Sequence, residues 1–222
     1  MNKIVFFHIY AAGQWRDPVR EFLLAYRQTG LINNSELKIG IVGSESQQTE
    51  VIQYFINEAI DFEVVARALS GWEQVTQIKL HEYALTNDGY VLYCHTKGAA
   101  NVNDTNTKWR RSMYYYNIVC WEEAIKKLDE GFDAAGQHWM FPSHHSPEHK
   151  GWPFFGGTVW WTSLAHIRTL GKPSLEHRHI AEGWIGEQYY NKQMKCFDFT
   201  GHISAHPCHS LWTEQTQQWI TR

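Results

Sequence analysis

Residues 3–10 form a near-continuous apolar run, Lys3-Ile4-Val5-Phe6-Phe7-His8-Ile9-Tyr10, the pattern of a strand covered on both faces. Asp17-Pro18 follows as a helix start, with a capping side chain and a proline at the first helical position. Val19, Phe22, Leu23 and Tyr26 then recur at the spacing of one helix face, and Gly30 ends that helix. Residues 37–42 read as a second strand. Ser44 with Gln47 makes a capping box ahead of Val51, Ile52, Phe55 and Ile56, again on one helical face. A third strand is expected over 62–66, a helix opened by Ser70 and Glu73 and closed by Asn87-Asp88-Gly89, and a fourth strand over 90–94. Three strand–helix units in a row imply an α/β fold with a mostly parallel central sheet flanked by helices on both faces. Ligands of such sheets sit at the carboxyl ends of the strands, which draws attention to the loop after Cys94.

The second half is less regular. A long helix is expected over 107–130, with Trp109, Met113, Tyr116 and Cys120 on one stripe and Ile118, Trp121, Ile125 and Leu128 on another. Strands are expected over 132–140 and 154–161, separated by a loop rich in His, Pro and Gly, and short helices over 163–170 and 182–191. No repeat, low-complexity tract or linker interrupts the 222 residues, so a single domain is expected over 1–222.

Composition narrows the partners. Hydrophobic residues make up 43% and charged ones 19%, enough to build a core. The formal net charge of −3 disfavours a nucleic-acid partner, which calls for a basic surplus. The four cysteines (Cys94, Cys120, Cys196, Cys208) lie far apart with no C-x-x-C pair, which fits a reducing, cytoplasmic compartment. No run approaches the ~20 apolar residues of a transmembrane helix. The N-terminal run is short, contains a His and leads straight into Gln14-Trp15-Arg16-Asp17, so it reads as a strand rather than a signal peptide. Eleven tryptophans supply core bulk and, where exposed, flat faces with a polar handle.

Three constellations could carry chemistry. His95-Thr96-Lys97-Gly98 leaves the fourth strand, and Lys108-Trp109-Arg110-Arg111 follows after a polar loop. Four cations near one strand end and one helix start would suit a phosphate or diphosphate, with Gly98 allowing close backbone approach. Phe154-Phe155-Gly156-Gly157-Thr158-Val159-Trp160-Trp161 places two glycines in an apolar strand, tolerated where another group nears the backbone. Its two indoles should face opposite sides, one in the core and the other free to wall a pocket. Arg178-His179-Ile180-Ala181-Glu182-Gly183-Trp184-Ile185-Gly186-Glu187 sets Glu182 among glycines and aromatics, where partial burial favours a general base. Histidines also gather in two places, His144, His145 and His149, then His202, His206 and His209, without a metal-binding spacing such as H-E-x-x-H.

Taken in order, Tyr93-Cys94-His95-Thr96-Lys97-Gly98, Trp109-Arg110, Phe155-Gly156-Gly157-Thr158-Val159-Trp160-Trp161 and Arg178…Ala181-Glu182-Gly183-Trp184-Ile185 resemble the bacterial and viral GT-A type glycosyltransferases related to the rhamnan-synthesis proteins, which carry an HTK motif. The resemblance spans roughly residues 72–190. It implies a nucleotide-binding half over about 1–100 and an acceptor-side half over about 101–222. It also implies a nucleotide-sugar donor as substrate and a hydroxyl of a glycan, lipid-linked or protein acceptor. Donor-binding residues would be Tyr10, His95, Thr96, Lys97, Gly98, Arg110, Gly156, Gly157, Trp161 and His202, with Glu182 and Lys97 acting in catalysis. The family's usual Asp-x-Asp metal motif is missing, and His-Thr-Lys stands in its place, so a divalent metal is in doubt and Lys97 is expected to neutralise the leaving diphosphate. The competing expectations are an inactive nucleotide- or glycan-binding module and a His-based metal hydrolase.

Overall fold

The computed structural model describes residues 1–142, 150–201 and 213–221. Among the described residues nine strands form: β1 (Lys3–Tyr10), β2 (Glu36–Val42), β3 (Glu63–Ala68), β4 (Tyr90–His95), β5 (Ala134–Gly136), β6 (Trp139–Met140), β7 (Phe154–Phe155), β8 (Trp160–Ser163) and β9 (Cys196–Asp198). Seven of them make one sheet in the order β3-β2-β1-β4-β8-β5-β9, while β6 and β7 pair separately. The first four strands are mutually parallel, and β8 runs antiparallel to both β4 and β5. The expected α/β class with a mostly parallel, helix-flanked sheet is what the chain adopts.

Helices α1 (Arg16–Gln28), α2 (Glu45–Asn57), α3 (Gln74–Ala84), α4 (Asp104–Tyr114) and α5 (Trp121–Asp129) cover the sheet, followed by the one-turn helices α6 (Leu164–Ile167), α7 (Ile180–Gly183) and α8 (Tyr189–Lys192) and by α9 (Glu214–Gln218). The two-residue period of the strands divides the core. Val5, Phe7 and Ile9 of β1 with Leu92 and Cys94 of β4 meet Phe22 of α1 and Met113 of α4. Ile4 and Phe6 with Val91 and Tyr93 meet Leu80 of α3 and the residues around Trp184. His8 and His95, paired across β1 and β4, continue this second, α3-facing series.

Some sequence expectations change. The Ser44–Gln47 capping box forms as read. Asp17 and Pro18 lie inside the first turn of α1, which begins at Arg16. Ser70 and Glu73 make no capping box: Glu73 takes the N-cap position of α3 without a side-chain cap bond. The expected long helix is split by a π-helical stretch at Tyr115–Val119. There the Asn117 side chain bonds the Met113 carbonyl and its own carbonyl accepts from Trp161 Nε1 at 2.6 Å, the kind of insertion that widens a helix. The expected strand over 132–140 breaks at His138, whose φ is 55° and whose N–H is taken by the Asp198 carboxylate. The strand over 154–161 breaks at Gly157 and Thr158, both with positive φ, so β7 and β8 fall into different sheets.

Candidate active site

A cavity of about 580 Å³ opens at the carboxyl ends of β1 to β4. The floor comes from His8 and Tyr10 of β1 and from the turn after β4; the loop after β3 and residues Arg178 and Glu182 supply the walls. Parallel strands all end on one side of the sheet, so four loops meet there from distant parts of the chain.

The turn after β4 is held in place by its own backbone and by β1. Thr96 N–H donates to His8 O at 3.0 Å, and Thr96 Oγ1 accepts from Tyr10 N–H at 2.9 Å. Tyr114 Oη donates to His95 O at 3.0 Å. Gly98 has φ +85°, and a Cβ there would stand 3.0 Å from Asn106 Cβ, so the turn calls for glycine. Lys97 then projects into the cavity with its ammonium 4.1 Å from the centre of the Trp109 ring, a favourable cation–π placement.

The charges are arranged around that ammonium. Burial holds Lys97 below the usual lysine range, opposed by Glu182 and Glu73 and reinforced by Arg178. His95 Nε2 lies 2.7 Å from Gly157 O and donates to it, while Nδ1 stands 3.4 Å from Glu73 Oε1. Burial lowers its pKa, with Glu73 pulling the other way. His8 is 3% exposed, hydrogen-bonded through Nδ1 to Thr76 Oγ1 at 2.8 Å, and burial lowers it to about 4. The neutral floor and the mixed charges of Lys97, Arg178, Glu73 and Glu182 give a polar site able to meet an anion on one side and accept a proton on the other.

Of the residues singled out in the sequence, Tyr10, His95, Thr96, Lys97, Gly98 and Glu182 line this one cavity. Others are placed elsewhere. Arg110 is buried behind the turn: Nε donates to Glu21 at 2.7 Å and one terminal nitrogen donates to Lys97 O at 3.0 Å. Arg111 also binds Glu21, and Lys108 pairs with Asp104. The four cations therefore do not converge on a ligand, and Lys97 alone among them lines the cavity. Gly157 reaches the site only through its carbonyl; its φ is +90° and a Cβ would fall 2.3 Å from Met113 Sδ. Gly156 packs by Met140 and His138. Trp160 and Trp161 are both fully buried, one in each core layer, so neither walls the pocket. His202, His206, His209, His144, His145 and His149 lie outside the described residues.

Sequence reading missed four residues. Glu73 has the spacing of a capping-box residue, and its place in the loop after a parallel strand is the signal that marks it for the site. Arg178 stood in the matched motif without a role, His8 read as a strand residue, and Trp72, 44% exposed at the rim, was unremarked. Among the described residues, no three His, Cys, Asp or Glu side chains stand together as a metal site.

No protein-family model matches the sequence, and no curated protein matches it. Solved structures do. Staphylococcus aureus TarS 1–349 is 11% identical with a TM-score of 0.50, over 90% of this chain and 58% of that one. A candidate nucleotide-diphospho-sugar transferase from Desulfovibrio desulfuricans G20 is 10% identical with a TM-score of 0.47, over 90% and 80% of the two chains. Mouse xyloside xylosyltransferase 1 in its apo form is 10% identical with a TM-score of 0.36, over 100% and 81%. At such identities the likeness, carried by TarS, is one of fold alone, and the chemistry of this chain is argued from its own cavity.

Proposed function

We propose that the cavity binds a nucleoside-diphosphate sugar and that the protein transfers the sugar to a hydroxyl of a glycan, lipid or protein acceptor. The observation that carries this reading is the Lys97 ammonium, desolvated on the Trp109 ring at the strand ends and flanked by Arg178 and Glu182. In the transfer the acceptor oxygen bonds to the anomeric carbon, the bond from that carbon to the diphosphate breaks, and the acceptor proton goes to Glu182. Negative charge grows on the leaving diphosphate, where Lys97 and Arg178 supply preorganised positive charge. The exposed Trp72 indole offers a face on which the base can stack.

Purified protein incubated with a panel of nucleotide sugars should release nucleoside diphosphate in the presence of an acceptor. Nucleotide binding without release would leave a binding module. Glu182→Gln keeps the size and removes the basicity, so turnover should fall roughly 10²–10⁴-fold while donor binding persists. Donor binding lost along with turnover would move Glu182 from proton acceptance to sugar contact. Because neutralisation is assigned to side chains, turnover should also persist in EDTA; loss restored by manganese or magnesium would give that role to a cation.

A further inference from the structure

The core-facing side of α3 begins with polar residues where apolar ones would pack better. Gln74, Thr76 and Gln77 are all fully buried, ahead of Leu80 and Ala84. A buried amide is costly unless its groups are bonded. Thr76 is spent on His8. The two glutamines reach in the other direction, to the segment that forms the far wall of the cavity. Gln74 Nε2 donates to His177 O at 2.7 Å, with a longer approach of 3.5 Å to Arg178 O, and Gln77 Nε2 donates to Ala181 O at 3.0 Å. Those two carbonyls belong to the residues immediately before Arg178 and Glu182.

Stability alone does not account for the pair. Among the described residues neither Oε1 atom has a hydrogen-bond partner, though both are buried, and a half-satisfied amide is worse for a core than an apolar side chain of the same length. What the amides do accomplish is geometric. Around the site, the segment bearing Arg178 and Glu182 is irregular: a one-turn helix running into a 3₁₀ turn at Trp184–Gly186. The helix α3 is regular, carries Glu73 at its N-cap and grips His8 through Thr76.

We infer that Gln74 and Gln77 are positioning residues that fix Arg178 and Glu182 to α3, so that one helix sets the spacing of both cavity walls. The inference rests on the transfer reading above. The division of labour follows from which carbonyl each amide holds: Gln74 governs the cation and Gln77 the proton acceptor.

Methionine matches glutamine in length and lacks the donor, so Gln74→Met and Gln77→Met test the assignment in the full chain. Gln77→Met should lower kcat about 10–100-fold with the donor KM changed little, the scale expected of a small displacement at a reacting group. Gln74→Met should chiefly raise the donor KM. Each variant exchanges an unmet Oε1 for an unmet carbonyl at His177 or Ala181, so the melting temperature should change little if the role is positional. Unchanged kcat and KM in both variants would overturn the inference, as would losses that track a lowered melting temperature. Should the parent bind no nucleotide and release none, the transfer reading fails by itself. Amide hydrogen exchange over residues 177–183 still decides the clamp: faster exchange in the variants upholds it, and unchanged exchange overturns it.

Discussion

Lys97 and Arg110 lie thirteen residues apart and both read as ligand-binding cations, yet the fold puts them to opposite uses. Arg110 is 3% exposed and, together with Arg111, closes on the equally buried Glu21 carboxylate. One of its terminal nitrogens donates to the Lys97 carbonyl. Lys97 faces a cavity, desolvated over an indole, with two carboxylates nearby and Arg178 repelling it. One cluster is closed and structural; the other is open and mixed. The comparison teaches that a cation serves a ligand only where the protein has not already committed it to a carboxylate.

Breaking the closed cluster should give the largest effect. Glu21→Gln leaves two guanidinium groups without their carboxylate, one of them buried, and should destabilise the fold by about 3–5 kcal/mol. Denaturant melts would report it; a loss below about 1 kcal/mol, the range of exposed pairs, would mean that solvent already screens the cluster.

The floor of the open site sharpens the contrast through pH, because His8 is buried without a compensating carboxylate bond. Its folded pKa of about 4 lies below the unfolded 6.5, so the unfolded chain binds more protons between those values. Stability contributed by neutral His8 is complete above pH 6.5 and is lost as pH falls toward 4. The span of 6.5 − 4 units corresponds to about 3 kcal/mol. His8→Asn, which keeps a hydrogen-bonding group toward Thr76, should flatten that slope in melts at pH 7 and 4.5; an unaltered slope would place the acid sensitivity elsewhere.

The smallest of the three effects concerns the ligand. Lys97→Met removes one charge-assisted contact and should weaken nucleoside-diphosphate binding by about 1.5–3 kcal/mol, roughly 10- to 150-fold. Equal affinity in calorimetry would remove Lys97 from the donor site and erase the distinction from Arg110.

Much of the first half was legible because its signals are local. The apolar run of β1, the amphipathic stripes of α1 and α2 and the Ser44–Gln47 box all state their structure within a few residues. The second half was read less well for a physical reason. Its breaks at Asn117, His138 and Gly157 are fixed by partners far along the chain, among them Trp161 and Asp198. The Ser70–Glu73 spacing is that of a capping box, and only the folded chain sets Glu73 at an uncapped helix start beside His95 instead.

By itself, the sequence determined the class of fold and the strand ends where a ligand would sit, while the family resemblance singled out Tyr10, His95, Thr96, Lys97, Gly98 and Glu182, six of the residues that line the cavity. The fold class and the strand-end site follow from periodicity, from turn chemistry at Gly98 and from the rule that parallel strands end together. Tertiary structure alone decided which charges are free. Glu21 and Arg110 are 89 residues apart, and Gln77 and Ala181 are 104 apart. No local pattern encodes such pairings, because whether a buried charge or amide is already matched depends on what the folded chain brings against it.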